Sequence, residues 1–172
     1  SDDRVIKFLD REKHESIDDT KEMIAKVKES YRKREGINWL IKDRSTLQVI
    51  GYIGYCRLFR ERVRGEIGFA LKPDFWNKGI MTEALIKVIN FGFNRMEFHS
   101  IEGNVNPQNI SSIALLEKIG FKKEAYFRED YLFDGEFKDS VIYSLLETDE
   151  YINKSTNQRL NPTRRIRHFG TG

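Results

Sequence analysis

The stretch "GEIGFALKPDFWNKGIMTEALIKVINFGF", Gly65 to Phe93, changes its hydrophobic period halfway along. Gly65–Leu71 alternates like a strand, with Ile67, Phe69 and Leu71 on one face and Glu66, Gly68 and Ala70 on the other. Leu85, Val88, Ile89 and Phe93 then recur at helical spacing over about fifteen residues. A strand that enters a helix through one short turn restricts the chain to folds that mix α and β elements. The turn itself, "FWNKGIMTEA", places a lysine and a glycine where the first helical N–H groups usually find a capping side chain. That end of a helix favours negative charge. Either Thr82 caps the helix, or the N–H groups of Lys78 to Thr82 are kept for an anion from outside the chain.

The flanking sequence extends the same alternation. Ser16 reads as a helix N-cap, with Asp18 and Asp19 in the first turn and Ile24, Val27 and Tyr31 at helical spacing up to Gly36. "INWLIKD" and "QVIGYIGYCRLF" read as a hairpin across "RST". "HSIEGNVN" reads as a strand, and a short helix from about Ser111 stops at Gly120. "KKEAYFREDYLF" and "FKDSVIYSLLE" form a last hairpin at Asp134-Gly135. The expected fold class is α/β, one domain over residues 1–150, followed by an extension over 151–172.

Charge separates those two parts. Five of the 30 basic residues lie from Lys154 onward, where there is no acid, leaving 25 bases against 27 acids in residues 1–153. A basic tail on a nearly neutral body admits weak electrostatic contact with RNA, without the interleaved aromatics of sequence-specific binding. The single cysteine, Cys56, excludes an internal disulfide, and its strand context reads as core. No apolar run reaches the roughly 20 residues of a membrane span, so a cytoplasmic protein without membrane contact is expected. His14, His99 and His168 have no metal-ligand spacing, so no metal is expected.

The chemistry-bearing residues fall in three pieces. Glu66 shares its strand face with two very small residues, which leaves room beside a carboxylate. The turn at Gly79 has a phosphate-binding character but lacks the P-loop and the dinucleotide fingerprint. In "NPQNISSIALLEKIGF", Asn109 and Ser112 stand at a helix start, where either Asn109 or Ser111 could serve as cap.

In this order and spacing, "GEIGFAL", "PDFWNKGIMTEAL" and "NVNPQNISSIALLEKIGFKKE" resemble the GNAT family of N-acetyltransferases. The resemblance is to its ribosomal-protein N-terminal (RimJ/RimL-like) branch, and runs from about Ser1 to Glu147. It implies a mixed, mostly antiparallel sheet flanked by helices. It also implies acetyl-CoA as co-substrate, its pyrophosphate held by Lys78, Gly79, Ile80, Met81 and Thr82, with Leu71, Trp76, Asn77 and Asn104 alongside. Trp76 and Met81 occupy the outer positions of the family's Arg/Gln-x-x-Gly-x-Gly/Ala pattern, a variation that resembles this branch. Asn109 matches a position that contacts the pantetheine arm, and Ser112 one proposed to assist the leaving thiol.

Amine acetylation then needs a base for the attacking amine and a proton for the departing thiolate. Glu66 is the candidate base, and Ser112 and Tyr131 are the candidate acids. The implied acceptor is a protein or peptide N-terminal amine, such as that of a ribosomal protein. A polyamine, amino acid or antibiotic amine, and a non-catalytic acyl-CoA or RNA-binding module, are the rival readings. A homodimer is compatible with each. The family's usual first strand and helix precede the segment resembling "SDDRVIKFL" and are not seen in this sequence, which implies an exposed sheet edge.

Overall fold

The computed structural model describes residues 16–152, apart from Arg60 and Arg62. The opening "SDDRVIKFL" segment and the basic residues from Lys154 lie outside these described residues. Among them, helices and strands follow in the order α1 (Ile17–Arg32), β1 (Ile37–Lys42), β2 (Val49–Phe59), β3 (Arg64–Leu71), α2 (Ile80–Asn94), β4 (Ser100–Val105), α3 (Ile110–Ile119), β5 (Lys122–Phe133) and β6 (Glu136–Leu146). The strands form one sheet in the order β1-β2-β3-β4-β6-β5. Only β3 and β4 are parallel, because α2 carries the chain from the end of one back to the start of the other. The α/β class and the mixed, mostly antiparallel sheet are as the sequence implied.

Local chemistry sets the element ends. Ser16 and Asp19 form a reciprocal capping box, with Asp19 N donating to Ser16 Oγ at 3.1 Å and Ser16 N to Asp19 Oδ2 at 2.8 Å. Helix α1 stops at Arg32, earlier than the glycine suggested, and Arg34 takes the left-handed conformation at φ 57°. Gly36 has a different role, since a Cβ there would lie 2.8 Å from the carbonyl of Tyr55. The apolar stripe of α1 does not enter the core: Ile24, Val27 and Tyr31 are 45%, 37% and 62% exposed. Val27 and Tyr31 line a groove with Ile37 and Trp39 of β1. At the last hairpin, Asp134 and Gly135 both have positive φ, 51° and 73°, the geometry that an Asp-Gly turn supplies.

The core is sealed where α2 crosses β2. Leu85 and Ile89 of α2 are fully buried, and Phe93 nearly so, against Ile53, Tyr55 and Ile101 of the sheet. The Tyr55 ring meets Phe98 edge-on at 4.9 Å, and its hydroxyl donates to Val88 O at 2.8 Å. Gly92 makes room for it: a Cβ there would stand 2.1 Å from Tyr55 Oη and 3.1 Å from Phe98 Cδ2. Mid-helix glycine is unfavourable by about 1 kcal/mol relative to alanine, so this close approach is what α2 gains in exchange.

Two outcomes follow for stability. Gly92→Ala should destabilise by about 1–3 kcal/mol through overpacking. Tyr55→Phe in the same chain should recover part of that loss, read as a non-additive double-mutant cycle in urea. Burial, with Tyr151 second, also pushes the Tyr55 phenol above its usual value. Its folded pKa is therefore raised, so its contribution is intact below the unfolded value near 10 and is lost as pH rises beyond it. Urea midpoints should fall above about pH 10, and less steeply in Tyr55→Phe; Tyr126, Tyr143, Tyr151 and the Cys56 thiol, also raised, supply the remainder. An unchanged alkaline slope in Tyr55→Phe would contradict this assignment.

Candidate active site

Strands β3 and β4 pair over only three positions, Arg64↔Ser100, Gly65↔Ile101 and Glu66↔Glu102. Beyond that rung β3 continues to Leu71 and β4 to Val105 without pairing to each other. On the core face beneath the opening Leu116 of α3 takes the room left by Gly103: a Cβ there would lie 3.0 Å from Leu116 Cδ1 and 4.0 Å from Ile67 Cγ2. The strands thus part at their carboxyl ends. Along each wall, alternate residues direct backbone N–H and C=O into the gap with no strand partner opposite.

Two helix N-termini stand at this end of the sheet. Helix α2 begins at Gly79, with φ 76° and ψ −4°, and no side chain caps it. Thr82 is therefore not the cap. The first amide with an intrahelical acceptor is that of Glu83, bonded to Gly79 O at 3.0 Å, which leaves the first-turn donors of Ile80, Met81 and Thr82 ahead of it. A Cβ at Gly79 would meet nothing within 4 Å, so another molecule can approach this backbone closely. Asn77, with φ 57°, makes the turn tighter still. Lys78 Nζ lies 5.4 Å from the centre of the Phe75 ring and adds positive charge beside the turn. Trp76 fixes the turn to the strand, its Nε1 donating to Leu71 O at 2.7 Å. Leu71 and Met81 are buried in the core, so only their main chains can face a ligand.

Helix α3 starts differently. Asn109 is its N-cap, accepting from Ser112 N at 3.2 Å, so Asn109 rather than Ser111 closes this helix. Ser112 is half-buried in the first turn, just beyond the end of β4. Asn104 is exposed near that end.

One row of polar residues crosses the sheet at the parting rung. The register aligns Arg57, Glu66, Glu102, Ser144 and Lys122 on β2, β3, β4, β6 and β5. Glu102 is bound by Arg64 at 2.6 Å, and Arg64 Nε is anchored on Ser100 Oγ at 2.9 Å. Glu66 faces Arg57 Nη1 at 3.6 Å and Cys56 Sγ at 3.6 Å, and its side chain is 17% exposed. Cys56 is exposed on this polar face rather than buried in the core, because Ile53 and Tyr55 take the inward positions of β2. Above Glu66 the space at Gly68 is open: a Cβ there would meet only Cys56, at 3.6 Å from the sulfur.

Tyr131 lies elsewhere. It pairs with Lys138, six residues along β6 from Ser144 and past the stretch of β6 that joins β4. For extended strand that is roughly 20 Å from the rung of Glu66. The structure thus sets Gly79, Asn109 and Ser112 beyond the carboxyl ends of β3 and β4, Glu66 at the rung where those strands part, and Tyr131 on the outer hairpin. Glu102, Arg64 and Arg57 escaped the sequence reading. The alternation in "SIEGNV" puts Glu102 on a polar face, but only the register shows that this face continues that of Glu66. Among the described residues, no group of three or more His, Cys, Asp or Glu is placed to hold a metal ion, and no helix is long and apolar enough to cross a membrane.

The family model of the Acetyltransferase (GNAT) domain matches residues 1–122 of this chain. The chain belongs to the GNAT acetyltransferase family. The uncharacterized N-acetyltransferase YoaA of Bacillus subtilis (strain 168) is 33% identical over 150 residues, 87% of this chain and 85% of the relative. The [ribosomal protein uS5]-alanine N-acetyltransferase of Escherichia coli (strain K12) is 27% identical over 124 residues, 72% of this chain and 64% of that enzyme. A GNAT-family acetyltransferase of known structure from Bacillus anthracis superposes with a TM-score of 0.73 at 27% identity, covering 85% of this chain and 83% of that one. This GNAT protein is accordingly an N-acetyltransferase, and acetyl-CoA is the co-substrate of its family.

The Arg64–Glu102 pair closes the last rung before this acetyltransferase opens its sheet. Arg64→Met should leave a largely buried carboxylate unpaired and destabilise by about 1–3 kcal/mol. The double variant Arg64→Met/Glu102→Leu should be more stable than Arg64→Met alone, as measured by urea unfolding. Equal stability of the two variants would mean that the pair does not hold the rung.

Proposed function

We propose that this chain transfers the acetyl group of acetyl-CoA to the N-terminal amine of a protein or peptide, with Glu66 accepting the amine proton. The observation that carries the reading is the coincidence of two features. The sheet opens at the carboxyl ends of β3 and β4, and the uncapped N-terminus of α2 stands at the same end. An extended amide-bearing arm can occupy the gap, hydrogen-bonding to strand groups that have no partner there. Its pyrophosphate then meets the free donors and positive end of α2, from Lys78 to Thr82, with Lys78 nearby as a cation. Open space at Gly79 supports the fit. Asn109 and Ser112 stand across the gap at the start of α3.

The reaction needs no covalent enzyme intermediate. The neutral amine attacks the thioester carbonyl, the C–S bond breaks, and coenzyme A leaves as thiol once protonated. Glu66 lies on the open small-residue face beside the gap, directly or through one water in reach of an incoming amine. Ser112 is the better-placed donor to the leaving sulfur, since it lies at the gap and Tyr131 lies along the outer hairpin. A peptide acceptor is favoured by the relative named for ribosomal protein uS5-alanine acetylation.

Calorimetric titration with acetyl-CoA tests the cofactor half of this reading. The unmodified chain should bind, and Gly79→Glu, which places a bulky anion where the pyrophosphate approaches, should lose at least tenfold in affinity. Circular dichroism of Gly79→Glu should stay native, because the new side chain points into open space at a strain of about 1–2 kcal/mol. Glu66→Gln should bind acetyl-CoA with unchanged affinity and lose about 10²-fold in turnover of an alanine-terminated peptide at neutral pH. Equal affinity of the chain and Gly79→Glu would remove the turn from the site. Equal turnover in Glu66→Gln would remove the base, and exclusive turnover of spermidine would replace the peptide by a small amine.

A further inference from the structure

We propose that Cys56 and Arg57 are positioning residues that clamp the Glu66 carboxylate, each contacting one of its two oxygens. This rests on the reading of Glu66 as the proton acceptor. The register between β2 and β3 runs Tyr55↔Ile67 and then Arg57↔Glu66, so Cys56 is an extra residue with no partner of its own. In a regular strand Cys56 and Arg57 would point to opposite faces. The bulge sets two residues against one, and both side chains reach Glu66.

The two contacts differ in kind. Cys56 Sγ lies 3.6 Å from Glu66 Oε1 and 3.4 Å from Glu66 O, within reach of a weak S–H donor. Arg57 Nη1 lies 3.6 Å from the other oxygen, Oε2, as an ion pair rather than a tight hydrogen bond. Arg57 is itself steadied over the Phe59 ring at 5.7 Å. Although the residue as a whole is exposed, partial desolvation of the sulfur beside β3, with the neighbouring Glu66 charge, pushes the thiol up to about 12. It therefore keeps its proton at neutral pH and serves as a donor, not a nucleophile.

Glu102 gives the contrast. It is the register partner of Glu66 on the neighbouring strand and is held by Arg64 at 2.6 Å, a short contact that commits its carboxylate. The longer contacts at Glu66 fix its direction while leaving its oxygens able to take a proton or a water. One glutamate is tied down as structure, and its neighbour is aimed.

Because Cys56 is the single cysteine, its alkylation by iodoacetamide reads this clamp without any acceptor. Glu66→Gln should accelerate alkylation at pH 8.5 several-fold by releasing the thiol, and Arg57→Met should slow it. Opposite signs separate these effects from loosening of the fold, which would accelerate both. With an alanine-terminated peptide and acetyl-CoA, Cys56→Ala and Arg57→Met should each lower kcat about tenfold with KM for acetyl-CoA unchanged. Cys56→Ser and Arg57→Lys should restore most of kcat. Equal alkylation rates in the unmodified chain and Glu66→Gln would overturn the proposal, as would full kcat in Cys56→Ala and Arg57→Met. A chain that fails to bind acetyl-CoA would remove the functional reading, and the alkylation rates would still decide the clamp.

Discussion

The site depends on where β3 and β4 stop pairing. A parallel pair normally continues its ladder until one strand ends, because each unpaired amide and carbonyl away from water costs free energy. Here the ladder ends after Glu66↔Glu102 although both strands run on. Unsatisfied main-chain groups along both walls are tolerable where solvent or a ligand with matching amides can fill the gap. The Arg64–Glu102 pair joins the two strands at the last rungs before that opening.

A gap alone would bind nothing in particular, and its use depends on α2. Tyr55, buried between Gly92 and Phe98 and bonded to Val88 O, fixes α2 against β2 and β3. Trp76 fixes the other end by bonding Leu71 O. With both ends set, the N-terminus of α2 has one place to be, beside the gap. Leaving it without a capping side chain at Gly79 forgoes about a few tenths of a kcal/mol that a serine or aspartate cap would supply. That sacrifice is consistent with donors held for an external anion.

Much of this was legible in the sequence because it is local. The period change between Leu71 and Leu85, the glycine at the helix start, a cap at Asn109 or Ser111 and the Asp134-Gly135 turn are each set within a few residues. What was not legible depends on register between strands distant in sequence. Cys56 looked like a core residue, but Tyr55 beside it takes the inward position, and a bulge opposite Glu66 brings Arg57 to the same polar face. Glu102 reads as one charge in a short strand until β4 is laid beside β3. Helix α1 has the pattern of a buried helix, yet its stripe stays exposed among the described residues, since periodicity predicts a face and not what covers it.

Backbone amide NMR of the uniformly labelled chain, titrated with coenzyme A, tests the central claim most directly. Large shifts should be confined to the amides of Lys78 to Thr82 and to the walls of the gap, Ile67–Leu71 and Gly103–Val105. The outer hairpin around Tyr131 should stay still. Saturable shifts centred elsewhere, with the amides of α2's first turn unmoved, would contradict the claim that the parted strands and the uncapped helix form the cofactor site.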